Sequence, residues 1–178
     1  HITPIDYYSI VRLNAEAKHR SFPELNIVDL RIFSYFSRYI DLKDDYFITE
    51  ILNCILTKNK FKTNETSFVR DYIHPNDFFE LITKCISINK LNESFDVCST
   101  NPVKKNEMLD FFSFEYGLAY EMIPTCLFSS PTGSKYYYYS TRSNTHSINF
   151  KPKFSSMCTI MQESRLLLES KNIAFSII

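Results

Sequence analysis

Apolar and polar residues alternate along this chain with two periods, which predict helices and strands in turn. Over residues 9–20 the apolar positions recur at helical spacing, and Ile10, Leu13 and Ala17 form one face of the predicted helix. Residues 27–33 are rich in β-branched side chains, which predicts a strand of a parallel sheet, buried on both faces. A helix, a short loop and a strand in this order are typical of an α/β fold.

The same alternation continues toward the end of the chain. Helices are predicted at residues 47–56, 75–88, 103–114 and 155–169, and strands at residues 68–73, 94–98 and 117–121. Residues 129–140 differ in composition, because S-S-P-T-G-S-K precedes four tyrosines. We expect a loop there that leads into a strand, with alternate tyrosines on opposite sides. No internal repeat or low-complexity linker divides the chain, so we expect one compact unit.

The composition argues against two classes of partner. The chain has 178 residues and 44% apolar content, which is enough for a sizeable core. Twenty basic and twenty acidic side chains cancel, and no basic tract could follow a nucleic-acid backbone. No apolar run approaches the roughly 18 residues of a membrane helix, and no secretory signal is visible. We therefore expect neither a nucleic-acid nor a membrane partner.

The cysteines favour a reducing compartment. They are odd in number, widely separated and without a C-x-x-C motif: Cys54, Cys85, Cys98, Cys126 and Cys158. This pattern favours reduced thiols in the cytoplasm over disulfides or a zinc site. Each cysteine is better explained as a small core residue than as a nucleophile. No spacing of His, Cys, Asp and Glu predicts a metal site.

Tyr8 and Arg12 are candidate catalytic residues near the start of the chain. They stand four residues apart in a segment with few helix breakers after Pro4, so a helix places them on one face. A cation held beside a phenol stabilises the phenolate, which suits the phenol for proton transfer. Ordinary surface packing explains the same spacing, and spacing alone does not decide between the two.

Three segments in sequence order resemble the extended short-chain dehydrogenases/reductases, the nucleotide-sugar epimerases and dehydratases. Pro4, Tyr8 and Arg12 are similar to the family's P-x-x-x-Y-x-x-x-K helix, and NIVDLRIF follows where the family has a strand ending in R-x-F-N. The segment FVRDYIHPNDF, residues 68–78, is close to the family's R-D-[FY]-[IV]-H-x-x-D. The resemblance extends over about residues 4–168 and corresponds to the C-terminal half of such an enzyme.

The resemblance implies the C-terminal part of a doubly wound Rossmann-type α/β fold, with a small mixed α/β substrate-binding lobe. Residues 1–45 would be the end of the Rossmann-type domain, and residues 46–178 mainly the nucleotide-sugar-binding lobe with returning sheet strands. Gly117 and Gly133 are the only glycines, so the G-x-G-x-x-G loop that holds a dinucleotide is absent. Either the protein binds no dinucleotide or the binding half precedes residue 1. We expect the second, because a helix like the family's active-site helix begins so near residue 1.

The resemblance implies roles for Tyr8, Arg12 and Ser34. Tyr8 matches the family's acid or base for a sugar hydroxyl, and Arg12 takes the place of the lysine that binds the nicotinamide ribose. Arginine keeps the charge but not the compact ammonium, so this exchange departs from the family pattern. Ser34 stands for the asparagine of the family's F-N-x-Y-G-P segment near the nicotinamide, and Ser37 for its glycine. Both exchanges weaken the inferred cofactor contacts.

Arg70 is the candidate substrate-binding residue. In the family the arginine of the R-D-Y-I-H segment contacts the phosphates of the nucleotide sugar, and a guanidinium binds such phosphates through two parallel hydrogen bonds. The alternative is a local ion pair with Asp71 or Asp77. His74, which precedes Pro75, is better explained as a structural hydrogen-bonding residue than as a catalytic one.

These observations lead to three functional hypotheses. The first is a fragment of an NAD- or NADP-dependent nucleotide-sugar epimerase or dehydratase of the cytoplasm, acting in cell-surface polysaccharide biosynthesis on a nucleoside diphosphate sugar. Such a fragment alone is expected to be inactive, and to dimerise or associate through its exposed seam. The second is a degenerate, non-catalytic module for nucleotide-sugar binding or assembly. The third is a helical interaction domain that matches the motifs by chance.

We predict that this chain alone does not bind NAD or NADP tightly. The glycine loop that would let backbone approach the pyrophosphate is missing from it. Isothermal titration with both dinucleotides is expected to show no saturable binding, with an intact epimerase as the positive control. A dissociation constant in the low micromolar range would contradict the prediction.

Overall fold

The computed structural model describes residues 4–124 and 136–171. Its helices are α1 Pro4–Arg20, α2 Phe47–Thr57, α3 Pro75–Ser87, α4 Lys105–Tyr116 and α5 Ser156–Ser170. Its strands are β1 Ile27–Ile32, β2 Ser34–Tyr35, β3 Phe61–Asn64, β4 Val69–Arg70, β5 Tyr72–Ile73, β6 Asn92–Val97, β7 Val103–Lys104, β8 Tyr120–Ile123 and β9 Tyr137–Tyr138. Cys126, Gly133 and residues 129–135 of the predicted loop lie outside the described residues.

Local chemistry explains where several helices begin and end. At the start of α3, Pro75 occupies the first turn and the His74 Nδ1 atom accepts the Asn76 N–H at 3.1 Å. At the start of α5 the Ser155 hydroxyl accepts the Cys158 N–H at 3.2 Å. Gly117 ends α4 in the left-handed conformation, with φ 64°, which glycine adopts without steric cost.

Parallel strand pairs dominate the sheet topology. β1 and β6 run parallel over six residues, with Ile27 opposite Asn92 and Ile32 opposite Val97. β2 pairs with β5 and β3 with β8, also in parallel, while β4 lies between antiparallel β7 and parallel β9. Parallel neighbours cannot be joined by a tight turn, so helices supply the long connections between them. The mixed α/β fold with parallel strands that the sequence predicts is confirmed.

One prediction about burial is wrong, and it concerns β1. The apolar face of α1 is also open to solvent: Ile10 and Leu13 are 46% and 62% exposed, and Ala17 is exposed as well. β1 was expected to be buried on both faces, yet its last two residues are exposed and the others are only half-buried. The reason is shared: β1 has one strand neighbour among the described residues, and no described element covers the Leu13 side of α1.

Other elements shift for local reasons. The strand predicted at 68–73 is divided at Asp71, because residues 69 and 70 pair with β7 and β9 whereas residues 72 and 73 pair with β2. The buried Asp71 carboxylate accepts the Ser99 N–H at 2.9 Å. The predicted helix at 103–114 begins two residues later, because 103 and 104 form β7 against β4. The strand predicted at 117–121 starts at Tyr120, since Gly117 is still the cap of α4.

Two groups of buried side chains form the core. The larger lies among α2, α4 and α5, and its fully buried members include Ile51, Leu52, Met108, Leu109, Phe112, Ile160 and Leu168. The smaller lies between α3 and the β5 and β6 strands, and it includes Ile73, Leu81, Phe95, Val97 and Phe150. Burial of these side chains is the main favourable contribution to the free energy of folding. Within the described ranges, no helix has the length and apolar character needed to cross a membrane.

One buried ion pair connects the loop after β2 to α5. The Glu163 carboxylate is 1% exposed, and it accepts the Arg38 backbone N–H at 2.8 Å and the Arg38 guanidinium at 2.8 and 3.0 Å. Burial acts to raise the Glu163 pKa, but the hydrogen bonds and charge of Arg38 outweigh it, so the pKa lies below its usual value. A carboxylate with a lowered folded-state pKa stabilises the fold above its unfolded pKa, and this contribution is lost as the pH falls.

We predict that Glu163→Gln lowers the free energy of unfolding at pH 7 by about 1.5–3 kcal/mol, because it removes charge-assisted bonds to Arg38. The difference from the wild-type chain should begin to shrink below the ordinary glutamate pKa of about 4.3, where Glu163 of the unfolded chain takes up a proton, and should be lost as the pH falls through the lowered pKa of the folded chain. Urea unfolding at pH 7 and at acidic pH measures both effects. Glu169→Gln is the control, since that carboxylate pairs with Arg165 on the surface. An equal loss for both variants would contradict a special contribution from Glu163.

Candidate functional site

Tyr8 and Arg12 form the pair that the helical spacing predicts. The Arg12 Nη2 atom donates to the Tyr8 hydroxyl at 2.9 Å, and the guanidinium carbon lies 5.2 Å from the centre of the tyrosine ring. The Tyr8 side chain is 62% exposed, so the hydroxyl is accessible from solvent. The phenol accepts a hydrogen bond from a fixed cation and keeps its own proton to donate. This is an arrangement that acid–base chemistry can use.

Ion pairs fix the direction of α1 on the sheet. His19 and Arg20 contact the Asp29 carboxylate at 2.9 and 2.8 Å, and one turn earlier Glu16 pairs with Arg31. The start of α1 therefore lies toward the carboxyl end of β1. Tyr8 lies two further turns along, about 12 Å by the helical rise. The start of α1, which carries Tyr8, therefore lies toward the carboxyl ends of the strands, and open α/β sheets bind their ligands at that end.

The strand pairing brings the segments that carry Ser34 and Arg70 close to each other, past the carboxyl end of β1. Ser34 follows β1 and pairs in parallel with Tyr72, two residues after Arg70. The Phe33 ring meets the Tyr138 ring edge-on at 5.5 Å, and β9, which carries Tyr138, pairs with β4, which carries Arg70. The segment proposed for cofactor contacts and the residue proposed for phosphate binding therefore border one aromatic cluster.

The Arg70 guanidinium is held by aromatic rings and not by a carboxylate. Its carbon lies 4.6 Å from the Phe68 ring centre and 6.0 Å from that of Tyr138, and Nη1 donates to the Val69 carbonyl oxygen at 3.0 Å. Burial lowers the Arg70 pKa, although the residue remains a cation at neutral pH. No carboxylate in residues 4–124 or 136–171 forms a salt bridge with it.

The alternative of a local ion pair for Arg70 is wrong. Asp71 accepts the Ser99 N–H at 2.9 Å and the Ser156 hydroxyl at 3.2 Å. Asp77 accepts the backbone N–H groups of Lys153 and Phe154 at 2.9 and 3.0 Å. Both carboxylates therefore stabilise loops around β5 and α3, which leaves the guanidinium without a negative partner in the described part of the chain.

The other candidate groups are structural. The His74 ring stacks on Phe154 with centres 4.0 Å apart, and its Nε2 atom is 3.1 Å from the Gln162 oxygen, so the expected hydrogen-bonding role is confirmed. Burial raises the Cys98 pKa to about 12, which makes this thiol a poor nucleophile. No cluster of three metal-binding side chains occurs among the described residues.

Sequence reasoning missed the aromatic surroundings of Arg70 and a buried lysine beside them. Phe68 comes two residues before the R-D-Y-I-H segment, and its contact with the guanidinium has no sequence signature. Tyr138 belongs to the tyrosine run at 136–139, where the alternation expected of a strand is not seen: the first two tyrosines are 57% and 75% exposed, and the last two are half-buried. Only the pairing of β9 with β4 shows which tyrosine reaches Arg70. Lys105 is fully buried near Phe68, and nothing in the sequence around it predicts this burial.

Comparisons with known proteins identify the fold. No protein-family model matches the chain. No curated protein matches it either. Among solved structures, many match over nearly the whole chain, and they include extended short-chain dehydrogenases/reductases that act on nucleotide sugars. The chain therefore has the fold of part of that family, as the three motifs predict, with parallel strands and a mixed α/β architecture.

Three of these structures show the extent of the likeness. UDP-glucuronic acid 4-epimerase from Bacillus cereus, in complex with UDP-glucuronic acid and NAD, has 14% identity and a TM-score of 0.74, over 94% of this chain and 54% of that one. UDP-N-acetylglucosamine 4-epimerase from Methanobrevibacter ruminantium, in complex with UDP-N-acetylmuramic acid, has 19% identity and a TM-score of 0.73, over 92% and 54%. dTDP-glucose 4,6-dehydratase from Bacillus anthracis, in complex with NAD, has 14% identity and a TM-score of 0.70, over 89% and 49%. The chain spans about half the length of the structures it matches.

Proposed function

We propose that this chain is the nucleotide-sugar-binding part of an NAD(P)-dependent nucleotide-sugar epimerase or dehydratase. In this proposal Arg70 binds the diphosphate and Tyr8 exchanges a proton with a sugar hydroxyl. Arg12 and Ser34 lie toward the nicotinamide ribose, and the cofactor is held mainly by the half of the fold that this chain does not contain. The proposed setting is synthesis of sugar nucleotides for cell-surface polysaccharides in the cytoplasm.

The observation that carries the proposal is the unpaired state of Arg70 among the described residues. A half-buried cation without a counter-ion is unfavourable unless something else compensates for the lost water. The Phe68 and Tyr138 rings supply part of that compensation and also fix the guanidinium plane. A diphosphate would complete it through charge-assisted bonds in fork geometry. Two of the similar enzymes were solved with UDP-sugars, which carry this group.

Tyr8 fits the proposal through the direction of its helix. The ion pairs between α1 and β1 carry the Tyr8 hydroxyl toward the sheet edge that Ser34 borders. A sugar bound with its diphosphate at Arg70 would extend along the same edge. Hydride transfer to and from the C4 or neighbouring carbon would be the work of bound NAD or NADP, while the chain's own residues orient the sugar and move the proton.

Two features favour a non-catalytic nucleotide-sugar-binding module as a second candidate. The Arg12 guanidinium is engaged with the Tyr8 hydroxyl and ring, so it is a less suitable ribose ligand than a free ammonium. Ser37, which replaces the family's glycine, is 6% exposed, and its hydroxyl accepts the Tyr39 backbone N–H at 3.4 Å, so it is engaged within its own loop. Both candidates share the binding role of Arg70 and differ only in turnover.

We predict that Arg70→Ala weakens binding of UDP and UDP-sugars roughly ten- to hundredfold, because it removes a charge-assisted pair. Arg70→Lys should recover only part of the affinity, since the ammonium lacks the fork. Isothermal titration with UDP, UDP-glucuronic acid and dTDP-glucose measures both variants. Arg165→Ala is the matched control, because it removes the same charge from a surface ion pair on α5.

The same variants separate a binding role from a structural one. Thermal unfolding of Arg70→Ala should stay close to that of the wild-type chain, since this guanidinium has one hydrogen bond to its neighbour's carbonyl and two ring contacts. An Ala variant that unfolds would make Arg70 structural. Equal affinities for Arg70→Ala and Arg165→Ala would remove the basis of the proposal.

Association through an exposed seam belongs to the same proposal. We define the seam as the free edge of β1, the exposed apolar residues of α1 and a groove of about 330 Å³ between β1 and α3. Ile10, Val11 and Leu13 are 46 to 62% exposed on α1, and Ile86 at the groove is 79% exposed. Apolar surface of this kind is seldom left open to water.

We predict that the isolated chain forms dimers or larger species, and that Leu13→Glu or Ile86→Glu shifts it toward the monomer. A charge at either position would have to be desolvated on association. Size-exclusion chromatography with light scattering measures the mass over a concentration series. Phe114→Glu is the control, because Phe114 is an apolar residue of α4 that is 87% exposed and does not belong to the seam. A wild-type chain that remains monomeric at high concentration would refute the role of the seam.

A further inference from the structure

Lys105 is an unusual residue because its ammonium is buried without a negative partner in the described part of the chain. The side chain is 2% exposed. Its Nζ atom donates to the Asn64 carbonyl oxygen, to the Asn64 side-chain oxygen at 3.3 Å and to the Thr66 carbonyl oxygen at 3.1 Å. The three protons of the ammonium therefore bind the loop that joins β3 to β4.

Two features make this position costly for a cation. Burial without a carboxylate lowers the pKa of Lys105, since the charged form has lost its water. Lys105 is also the first residue of α4, where the helix dipole favours negative charge. A methionine or leucine would fill the same space more cheaply, so hydrophobic packing does not account for a lysine here.

The contacts of Lys105 lead directly to the ring that supports Arg70. The Lys105 backbone N–H donates to the Phe68 carbonyl oxygen at 3.0 Å, and Nζ lies 5.9 Å from the centre of the Phe68 ring. Phe47 packs edge-on against that ring at 4.8 Å, and Nζ is 6.0 Å from Phe47 as well. The Arg70 guanidinium contacts the same Phe68 ring, with its carbon 4.6 Å from the centre.

We propose that Lys105 is a positioning residue for the Arg70 anion site: by holding the loop at 64–66 and the Phe68 backbone and ring, it fixes the surface on which the guanidinium lies. This inference rests on the proposed diphosphate-binding function and adds to it a residue that never touches the ligand.

A double-mutant cycle tests the positioning role. Lys105→Met keeps a side chain of similar length and removes the three N–H donors of the ammonium. It should weaken binding of UDP roughly three- to tenfold by isothermal titration. In the Arg70→Ala background the same change should cost no further affinity, because the group it positions is gone. Asn53→Ala is the matched control. It also removes a side-chain bond to a loop carbonyl, that of Leu42 at 2.7 Å, without touching Phe68.

A second measurement does not depend on any ligand. The Arg70 side-chain Nε–H signal in a ¹⁵N correlation spectrum should shift or broaden in Lys105→Met and stay in place in Asn53→Ala. If Arg70→Ala binds UDP as tightly as the wild-type chain, the proposed function fails, and this signal alone still decides whether Lys105 positions Arg70. Lys105→Gln, which keeps one donor, is the milder variant for both measurements.

Three outcomes would overturn the inference. One is an Arg70 signal and a UDP affinity that are unchanged in Lys105→Met. Another is an affinity loss of equal size in the wild-type and Arg70→Ala backgrounds, which would make the two residues independent. The third is that both Lys105 variants fail to fold at 25 °C, since Lys105 would then be a residue of the fold and not of the site.

Discussion

The position of every proposed site residue depends on the parallel pairing of β1 with β6 and on the Arg31 side chain that crosses it. Arg31 binds Glu16 of α1, and it binds Asp96 at 2.9 Å and Ser94 at 3.1 Å on β6. The hydrogen bond from Arg31 is the main reason that the Glu16 pKa is lowered. One guanidinium thus joins the helix that carries Tyr8 to both strands beneath it.

The same network reaches the aromatic side of the site. The other Asp96 oxygen accepts the Ser140 hydroxyl at 2.6 Å, two residues after Tyr138. Tyr138 in turn contacts Phe33 and the Arg70 guanidinium. The Tyr8 helix and the Tyr138 strand are therefore fixed by opposite ends of one ion pair, although they lie far apart in sequence. A loss of the β1–β6 register would displace both at once.

The polar residues of the R-D-Y-I-H segment differ in their partners. Asp71 and His74 are 2% exposed, and their hydrogen bonds join β5 and α3 to the start and middle of α5. Buried polar groups of this kind must be satisfied within the fold, and these are. Arg70 is half-buried, and it pairs with no carboxylate in the part of the chain that the structure describes.

The sequence was sufficient for the features that local chemistry controls. The helices after Phe47, after Pro75 and at the end of the chain, the strand from Ile27 and the Tyr8–Arg12 contact all follow from periodicity, capping and helical spacing. The sequence was insufficient for burial and contacts that depend on residues far away in the chain. The exposure of Leu13 depends on which elements lie beside α1, and the ring over Arg70 depends on the pairing of β9 with β4. The burial of Lys105 depends on a loop forty residues upstream.

These dependences bear on how the two halves of the site could act together. The Tyr8–Arg12 pair is exposed, whereas Arg70 is half-buried among aromatic rings, so the first resembles an open acid–base group and the second a preformed anchor. A sugar nucleotide anchored by its diphosphate would bring its hexose to the tyrosine without requiring Tyr8 to bind it. Affinity would then come from the anchor and chemistry from the helix, which is how remote binding energy assists a reaction. An arginine at position 12 can weaken the chemistry while leaving the anchor intact, and this is why binding and turnover have to be judged separately in this chain.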